Sequence, residues 1–361
     1  MKTEVSTQKD IYEVRLAHED EGKVLAQFID QHWKKDHVLV TCKDLLDWQY
    51  LDRMSGRYNF VIGIERQSQE IHGVLGFIPL SQFDSKIELE RLCWMSIWKI
   101  QDAARGHKLG RRLLSYLIGI LKPDILSTVG ASEMTLPIYR AMGFKTGRLS
   151  HYFILHPEKS DFCLVSIKNF DQPRNYVESH HANKSLEKAS ENDIRNSTAE
   201  CFHAQKNLPR KSPDYLINRY FRHPFYRYQT YMIRDMMRTT GVIVSRVCRH
   251  GKERAIRIVD FIGSSTALKG LRNQWMSLLR KNDAEYIDFY NTGIDENDLL
   301  SSGFTRRRAG DGIIIPHYFE PFSMENIEID YMINVPERQT YQIVKGDSDQ
   351  DRPNLMEGMQ S

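Results

Sequence analysis

The sequence predicts a mixed α/β protein built from two tandem copies of one unit, each a mixed sheet flanked by helices. Three observations lead there. The chain has 361 residues, more than one hydrophobic core usually organises, so two domains are the default expectation. In the first half the hydrophobic period switches between 3.6 and 2 in the order β-α-α-β-β-β-α-β-α-β. The second half repeats that order.

The elements follow in turn. Residues 12–16 alternate as a short strand, and 20–33 form an amphipathic helix with Val24, Leu25, Phe28 and Ile29 on one side. A second helix over 43–51 presents Leu45, Leu46, Trp48 and Tyr50. Residues 58–65 and 70–80 read as an antiparallel pair, and 87–100 as a long strand entering a polar loop with glycines. Leu109, Leu113 and Leu117 restore the helical spacing until Pro123 stops it. A buried strand at 125–129, a short helix ending at Gly143 and strand over 144–155 complete the unit.

In the second half Ala189-Ser190-Glu191-Asn192 echoes Ala17-His18-Glu19-Asp20, and Asn218-Arg219-Tyr220 echoes Trp48-Gln49-Tyr50. Strand 228–234 echoes 58–64, and Ser302-Gly303-Phe304 echoes Met142-Gly143-Phe144. The expected domains are 1–169 and 186–345, joined by a polar linker at 170–185. Residues 346–361 form an acidic, non-regular tail, either solvated or folded over the domain cleft.

Composition narrows the function. A net charge of +3 without a basic stripe disfavours a nucleic-acid or membrane-surface role. No stretch has the apolar length of a spanning helix, and residues 1–10 lack the apolar core of a signal peptide, so a cytoplasmic protein without membrane insertion is expected. The five cysteines, Cys42, Cys93, Cys163, Cys201 and Cys248, are widely spaced and show no C-x-x-C pair. Small buried apolar residues are expected there, with neither a disulfide framework nor a metal site.

The informative segment is Arg105-Gly106-His107-Lys108-Leu109-Gly110-Arg111-Arg112, between a strand and a helix. Backbone N–H groups in a first helical turn have no intrahelical acceptor, and the helix dipole adds positive potential there, so anions bind. The glycines permit close approach, and Arg105, Lys108, Arg111 and Arg112 add charge-assisted contacts.

At this point the sequence resembles the GNAT superfamily of acyl-CoA-dependent N-acyltransferases. The family's pyrophosphate loop reads Arg/Gln-x-x-Gly-x-Gly/Ala, and Arg105, Lys108 and Gly110 fall on its three defined positions, with Lys108 in place of the first glycine. Downstream, Tyr139-Arg140-Ala141-Met142-Gly143-Phe144 looks like the family's Tyr-x-x-x-Gly-Phe helix ending. The resemblance implies a mostly antiparallel, twisted sheet and acyl-CoA as co-substrate. Peptide groups of Trp98, Lys99 and Ile100 would bind its pantetheine arm, and residues 105–111 its diphosphate. Ser132 stands where the family often has an asparagine touching CoA, and Pro137 implies that the following helix starts near Thr135.

Acyl transfer to an amine needs a neutral amine, a polarised thioester carbonyl and a proton for the departing thiolate. Tyr139 matches the family's proton donor. The base is left open between His37, Glu90 and water. His37 and His32 bracket Trp33-Lys34-Lys35-Asp36, a segment bordering the acceptor site in this fold, and Glu88 and Glu90 lie on the strand entering the loop.

The second copy carries Gly263-Ser264-Ser265-Thr266-Ala267-Leu268-Lys269-Gly270 at the loop position and Leu299 at the tyrosine position, so a second acyl-CoA site is not expected. Its role is support or acceptor binding, the latter through the aromatic run around Tyr226 and through Tyr290 and Asn291. The tandem copies, the His-Trp-Lys-Lys-Asp-His segment and the Asp349-Gln350-Asp351-Arg352-Pro353-Asn354 tail look like bacterial surface-polysaccharide N-acyltransferases. That implies a nucleotide-linked amino sugar as acceptor. The alternatives are a peptide or small-molecule amine, or a CoA sensor without catalysis.

Overall fold

The computed structural model describes residues 11–86, 92–168 and 184–355. The first half gives β1 (Tyr12–His18), α1 (Gly22–His32), α2 (Lys43–Tyr50), β2 (Arg57–Glu65), β3 (Ile71–Pro79), β4 (Leu92–Ile100), α3 (Leu109–Leu121), β5 (Ile125–Val129), α4 (Leu136–Ala141), β6 (Lys145–Arg148) and β7 (Ser150–Leu155). The second half gives β8 (Lys184–Lys188), α5 (Glu191–Ser197), β9 (Gln229–Asp235), β10 (Arg238–His250), β11 (Glu253–Gly263), α6 (Arg272–Asn282), β12 (Tyr286–Thr292) and β13 (Asp330–Ile333).

Two sheets result. The first runs β1-β2-β3-β4-β5-β13-β6, antiparallel except for the parallel pair β4/β5. The second runs β8-β9-β10-β11-β12-β7 and ends on the short strand Thr305–Arg306, again antiparallel except for the parallel pair β11/β12. The same order and the same parallel pair recur, as the echoes in the sequence predict.

The expected continuous strand over 144–155 is instead two strands in different sheets. β6 closes the first sheet against β13, whereas β7 pairs with β12 in the second. Each half thus donates one strand to the other: β7 occupies in the second sheet the place that β13 occupies in the first. Lys145–Arg148 is polar and Ser150–Leu155 mostly apolar, but neither pattern says which sheet a strand joins, so the crossing is set by the partner strands. The expected linker lies mostly outside the described residues.

Helix α3 covers one face of the first sheet, where Leu109, Leu113, Leu114 and Leu117 pack with Val61, Leu75, Phe77 and Met95. Close approach is made possible at Gly63 and Gly73, where an added Cβ would meet Leu109 carbons at 2.6 and 3.1 Å. The other face carries α1 and α2 over Phe60, Ile62, Val74, Ile78, Trp94 and Ile97. That core also takes in Tyr290, Tyr331 and Ile343 from the second half. Burying such side chains is worth about 1.5–3 kcal/mol each, so the seam between the halves is part of the folding core.

As far as residue 355, the tail is not a solvated appendage. Asp347, Ser348, Asp349 and Asp351 are all buried, and buried carboxylates require partners. Asp347 pairs with Lys211 at 2.9 Å, and Asp351 with Arg246 at 3.2 Å and with the Tyr228 hydroxyl at 2.7 Å. The cysteines also depart in part from expectation: Cys93, Cys201 and Cys248 are buried, Cys42 is half-buried and Cys163 is exposed, and all five are free. No helix among the described residues is long and apolar enough to cross a membrane.

Candidate functional site

The site is built where β4 and β5 separate. Their parallel pairing runs from Leu92↔Ile125 to Met95↔Thr128 and stops, so residues 96–100 of β4 keep β3 as their pairing strand. On that β3 side the register slips between Leu75 and Phe77, setting Ser96 and Ile97 opposite the single residue Gly76. A bulge of this kind bends the strand and turns its peptide groups. Beyond it, β4 offers a free edge through Trp98, Lys99 and Ile100, all half-buried.

At the open end of that edge lies the predicted anion loop. A 3-10 turn over Asp102–Ala104 is followed by Gly106 at φ 90° and Lys108 at φ 57°, after which α3 begins. Both φ values lie in the left-handed region. At Lys108, where the family has glycine, this conformation costs a lysine about 1–2 kcal/mol. The first intrahelical bond is Arg112 N–H to the Lys108 carbonyl at 3.1 Å, leaving the first-turn N–H groups before it for a ligand. Arg105 is exposed and paired with Asp102 at 2.8 Å. His107 lies edge-on to Tyr12, and Leu109 is a core anchor whose backbone alone reaches the loop. An added Cβ on Gly110 would lie 3.5 Å from the Trp98 indole.

Across the cleft, α4 starts after Thr135, as Pro137 predicts, while Ser132 stays exposed and bonded to Thr135. Tyr139 projects from α4 into the core beneath the splay, with its ring centroid 6.0 Å from Trp98 and 6.0 Å from Phe144. Burial pushes its hydroxyl pKa up, so the hydroxyl keeps its proton at neutral pH. The second copy has the same turn, with Phe304 N–H bonded to the Leu299 carbonyl as Phe144 N–H is to that of Tyr139, but without a hydroxyl.

The second copy's own splay is filled. Its parallel pairing ends at Ile258↔Phe289, after which Ile343–Val344 pairs with β12 and Gly346 N–H donates to the Val259 carbonyl at 2.8 Å. The chain then continues to the first splay. There the Ser348 hydroxyl donates to the Met95 carbonyl at 3.1 Å, and the Gln350 amide donates to the Val129 carbonyl at 2.9 Å. One segment therefore closes one cleft and crosses the inner end of the other.

The remaining sequence candidates fall in three places. His37 is buried as the N-cap of the helical turn Val38–Thr41, its Nδ1 accepting from Leu39 N–H at 3.2 Å and its Nε2 facing Arg352. Burial first, then Arg352 and Lys34, push its pKa down to about 2, which makes it a weak proton acceptor at neutral pH. Trp33 stands beside it at 4.7 Å with Arg352 over its ring at 5.5 Å, and His32 packs on Phe28. Tyr226, Tyr290 and Asn291 are brought elsewhere and are buried, Tyr290 at the seam with the first half. Tyr226 bonds Glu320 under Arg246, Tyr290 stacks on His151, and Asn291 pairs with Ser150. Glu88 and Glu90 lie outside the described residues.

Residues missed by sequence reasoning are Tyr50, whose hydroxyl donates to Ser96 Oγ at 2.9 Å at the bulge, and the tail residues Ser348, Gln350 and Arg352. The densely polar tail was visible in the sequence, but its contacts were not. A cavity of about 1210 Å³ opens at the other end of β4, between Trp48, Phe83, Arg53, Cys93, Asn218 and Pro224. Cys163, Glu253 and Glu285 also approach one another, but the Glu285 carboxylate accepts the Cys163 and Leu164 N–H groups at 2.8 Å each.

No family model matches the sequence, and no curated protein matches it. Among solved structures, the chain is similar to a GCN5-related N-acetyltransferase from Anabaena variabilis, with a TM-score of 0.55 and 14% identity over 90% of this chain and 72% of that one. A GCN5-related N-acetyltransferase from Kribbella flavida gives a TM-score of 0.53 and 11% identity over 90% and 71%. With its splayed parallel pair, bulged central strand and anion loop at the start of α3, this chain has the fold of the GCN5-related N-acetyltransferases.

Proposed function

We propose that the chain is an acyl-CoA-dependent N-acyltransferase whose first half binds the acyl donor. The observation that carries this reading is the convergence of three parts on one cleft: the anion loop at residues 105–110, the free edge of β4 and the Tyr139 side chain. The loop's N–H groups and cations hold the diphosphate. The β4 peptide groups pair with the pantetheine arm, and an N–H at the bulge polarises the thioester carbonyl. The acceptor nitrogen forms the new C–N bond as the C–S bond breaks. Its proton passes to water, and Tyr139 gives the leaving thiolate its proton. His37 fits the base role poorly, because its imidazolium would be too acidic.

For the acceptor we propose a nucleotide-linked amino sugar. The support is the resemblance of the tandem copies and the tail to surface-polysaccharide N-acyltransferases. The cavity at the far end of β4 adds room for a nucleotide, with the half-buried Trp48 on its wall. A thiol-release assay with acetyl-CoA against nucleotide-linked amino sugars, free amino acids and peptides tests the proposal. Turnover with the sugars alone is expected. Turnover with peptides alone would reassign the acceptor, and CoA binding without thiol release from any of them would make the protein a sensor.

A further inference from the structure

We infer that Gln350 is the floor of the acyl pocket and limits the length of acyl group the site accepts; the inference rests on the acyl-CoA reading above. A ligand held by its diphosphate at residues 105–110 and running along the free edge of β4 travels from Ile100 towards Met95. That is five residues of strand, or roughly 17 Å, and it ends where β4 and β5 rejoin. At that vertex the two strands are bridged by the C-terminal segment, Ser348 bonding the Met95 carbonyl and Gln350 the Val129 carbonyl. The Gln350 side chain fills the space beside Gly130 so closely that a Cβ there would lie 2.2 Å from its amide nitrogen.

The floor is held from both sides. Asp351 is fixed by Arg246 and Tyr228, and Lys345 donates to the Gln350 carbonyl at 2.8 Å. Arg352 reaches His37 and Asp349, and Asn354 accepts the Val38 N–H. The backbone is thus fixed on both sides of Gln350, and its side chain is tied to the Val129 carbonyl. Shortening it opens space in line with the cleft without touching the anion loop at the other end.

Calorimetric titration of acetyl-, butyryl- and hexanoyl-CoA and of adenosine 3′,5′-bisphosphate into the wild type, Gln350→Ala and Gln350→Asn tests the inference without needing the acceptor. Gln350→Ala is expected to bind hexanoyl-CoA about 10-fold more tightly than the wild type does, since two or more methylenes gain a buried place. Gln350→Asn should lie between, and all three should bind the bisphosphate equally. Identical length profiles with intact bisphosphate binding would overturn the inference while leaving the acyl-CoA reading standing. A wild type that binds neither the bisphosphate nor any acyl-CoA would overturn both. If Gln350→Ala loses bisphosphate binding through misfolding, Gln350→Asn decides alone, an unshifted profile counting against the floor.

Discussion

In the proposed mechanism Tyr139 has two duties that one substitution separates. Its ring packs between Trp98 and Phe144, and Phe keeps that packing while deleting the hydroxyl. Tyr139→Phe should therefore retain the fold and bind acetyl-CoA within about twofold of the wild type, while thiol release falls about 100-fold, the usual worth of a positioned acid. Because burial raises the hydroxyl's pKa, the donor stays protonated above the ordinary tyrosine range. The rate should consequently show no tyrosine-dependent fall up to about pH 10. His37, with a pKa near 2, stays neutral from pH 5 to 9, so His37→Gln should leave the shape of the pH–rate profile unchanged. Tyr139 was legible because Tyr-x-x-x-Gly-Phe is a local pattern on one helix and its turn. Gln350 was not, because its partner Val129 lies 221 residues away and no local period encodes that contact.

Among the elements, the C-terminal segment departs most from its sequence character. Its acidity reads as solvation, yet Asp347 and Asp351 meet the buried cations Lys211 and Arg246, and Asp349 pairs with Arg352 of the same segment. Burial by itself would push the Asp351 carboxyl up, but Arg246 and then Lys345, with the Tyr228 hydroxyl, hold it well below the usual carboxylate range. A carboxyl depressed in the folded state stabilises the fold above its unfolded pKa of about 3.9 and stops doing so as pH falls through the folded value. Acid unfolding should therefore begin below about pH 4, and Asp351→Asn should flatten that part of the stability–pH curve. At pH 7 the same substitution leaves Arg246 short of a buried partner and should cost about 3–5 kcal/mol in urea unfolding. The helices, in contrast, were readable nearly to the residue: α3 is expected from Leu109 and found over Leu109–Leu121, because a leucine stripe and a proline stop are local signals.

At the scale of the whole molecule, the repeat was readable from the order of elements, and the strand exchange was not. β6 and β7 are adjacent in sequence, and only the partner strands decide which sheet each joins. The exchange makes the halves interdependent: without β13, β5 and β6 lose the strand that pairs with both. Residues 1–169 expressed alone should give an aggregating, weakly protected chain, whereas co-expression with 170–361 should restore a cooperative fold. Hydrogen exchange on β5 reads the difference. Whether the anion loop holds the acyl donor, as proposed, is decided by one titration. Acetyl-CoA added to the wild type and to an Arg105→Glu, Lys108→Glu variant should bind once per wild-type chain and at least about 10-fold more weakly to the variant. Equal affinity in a folded variant, or two sites per chain, would contradict that proposal.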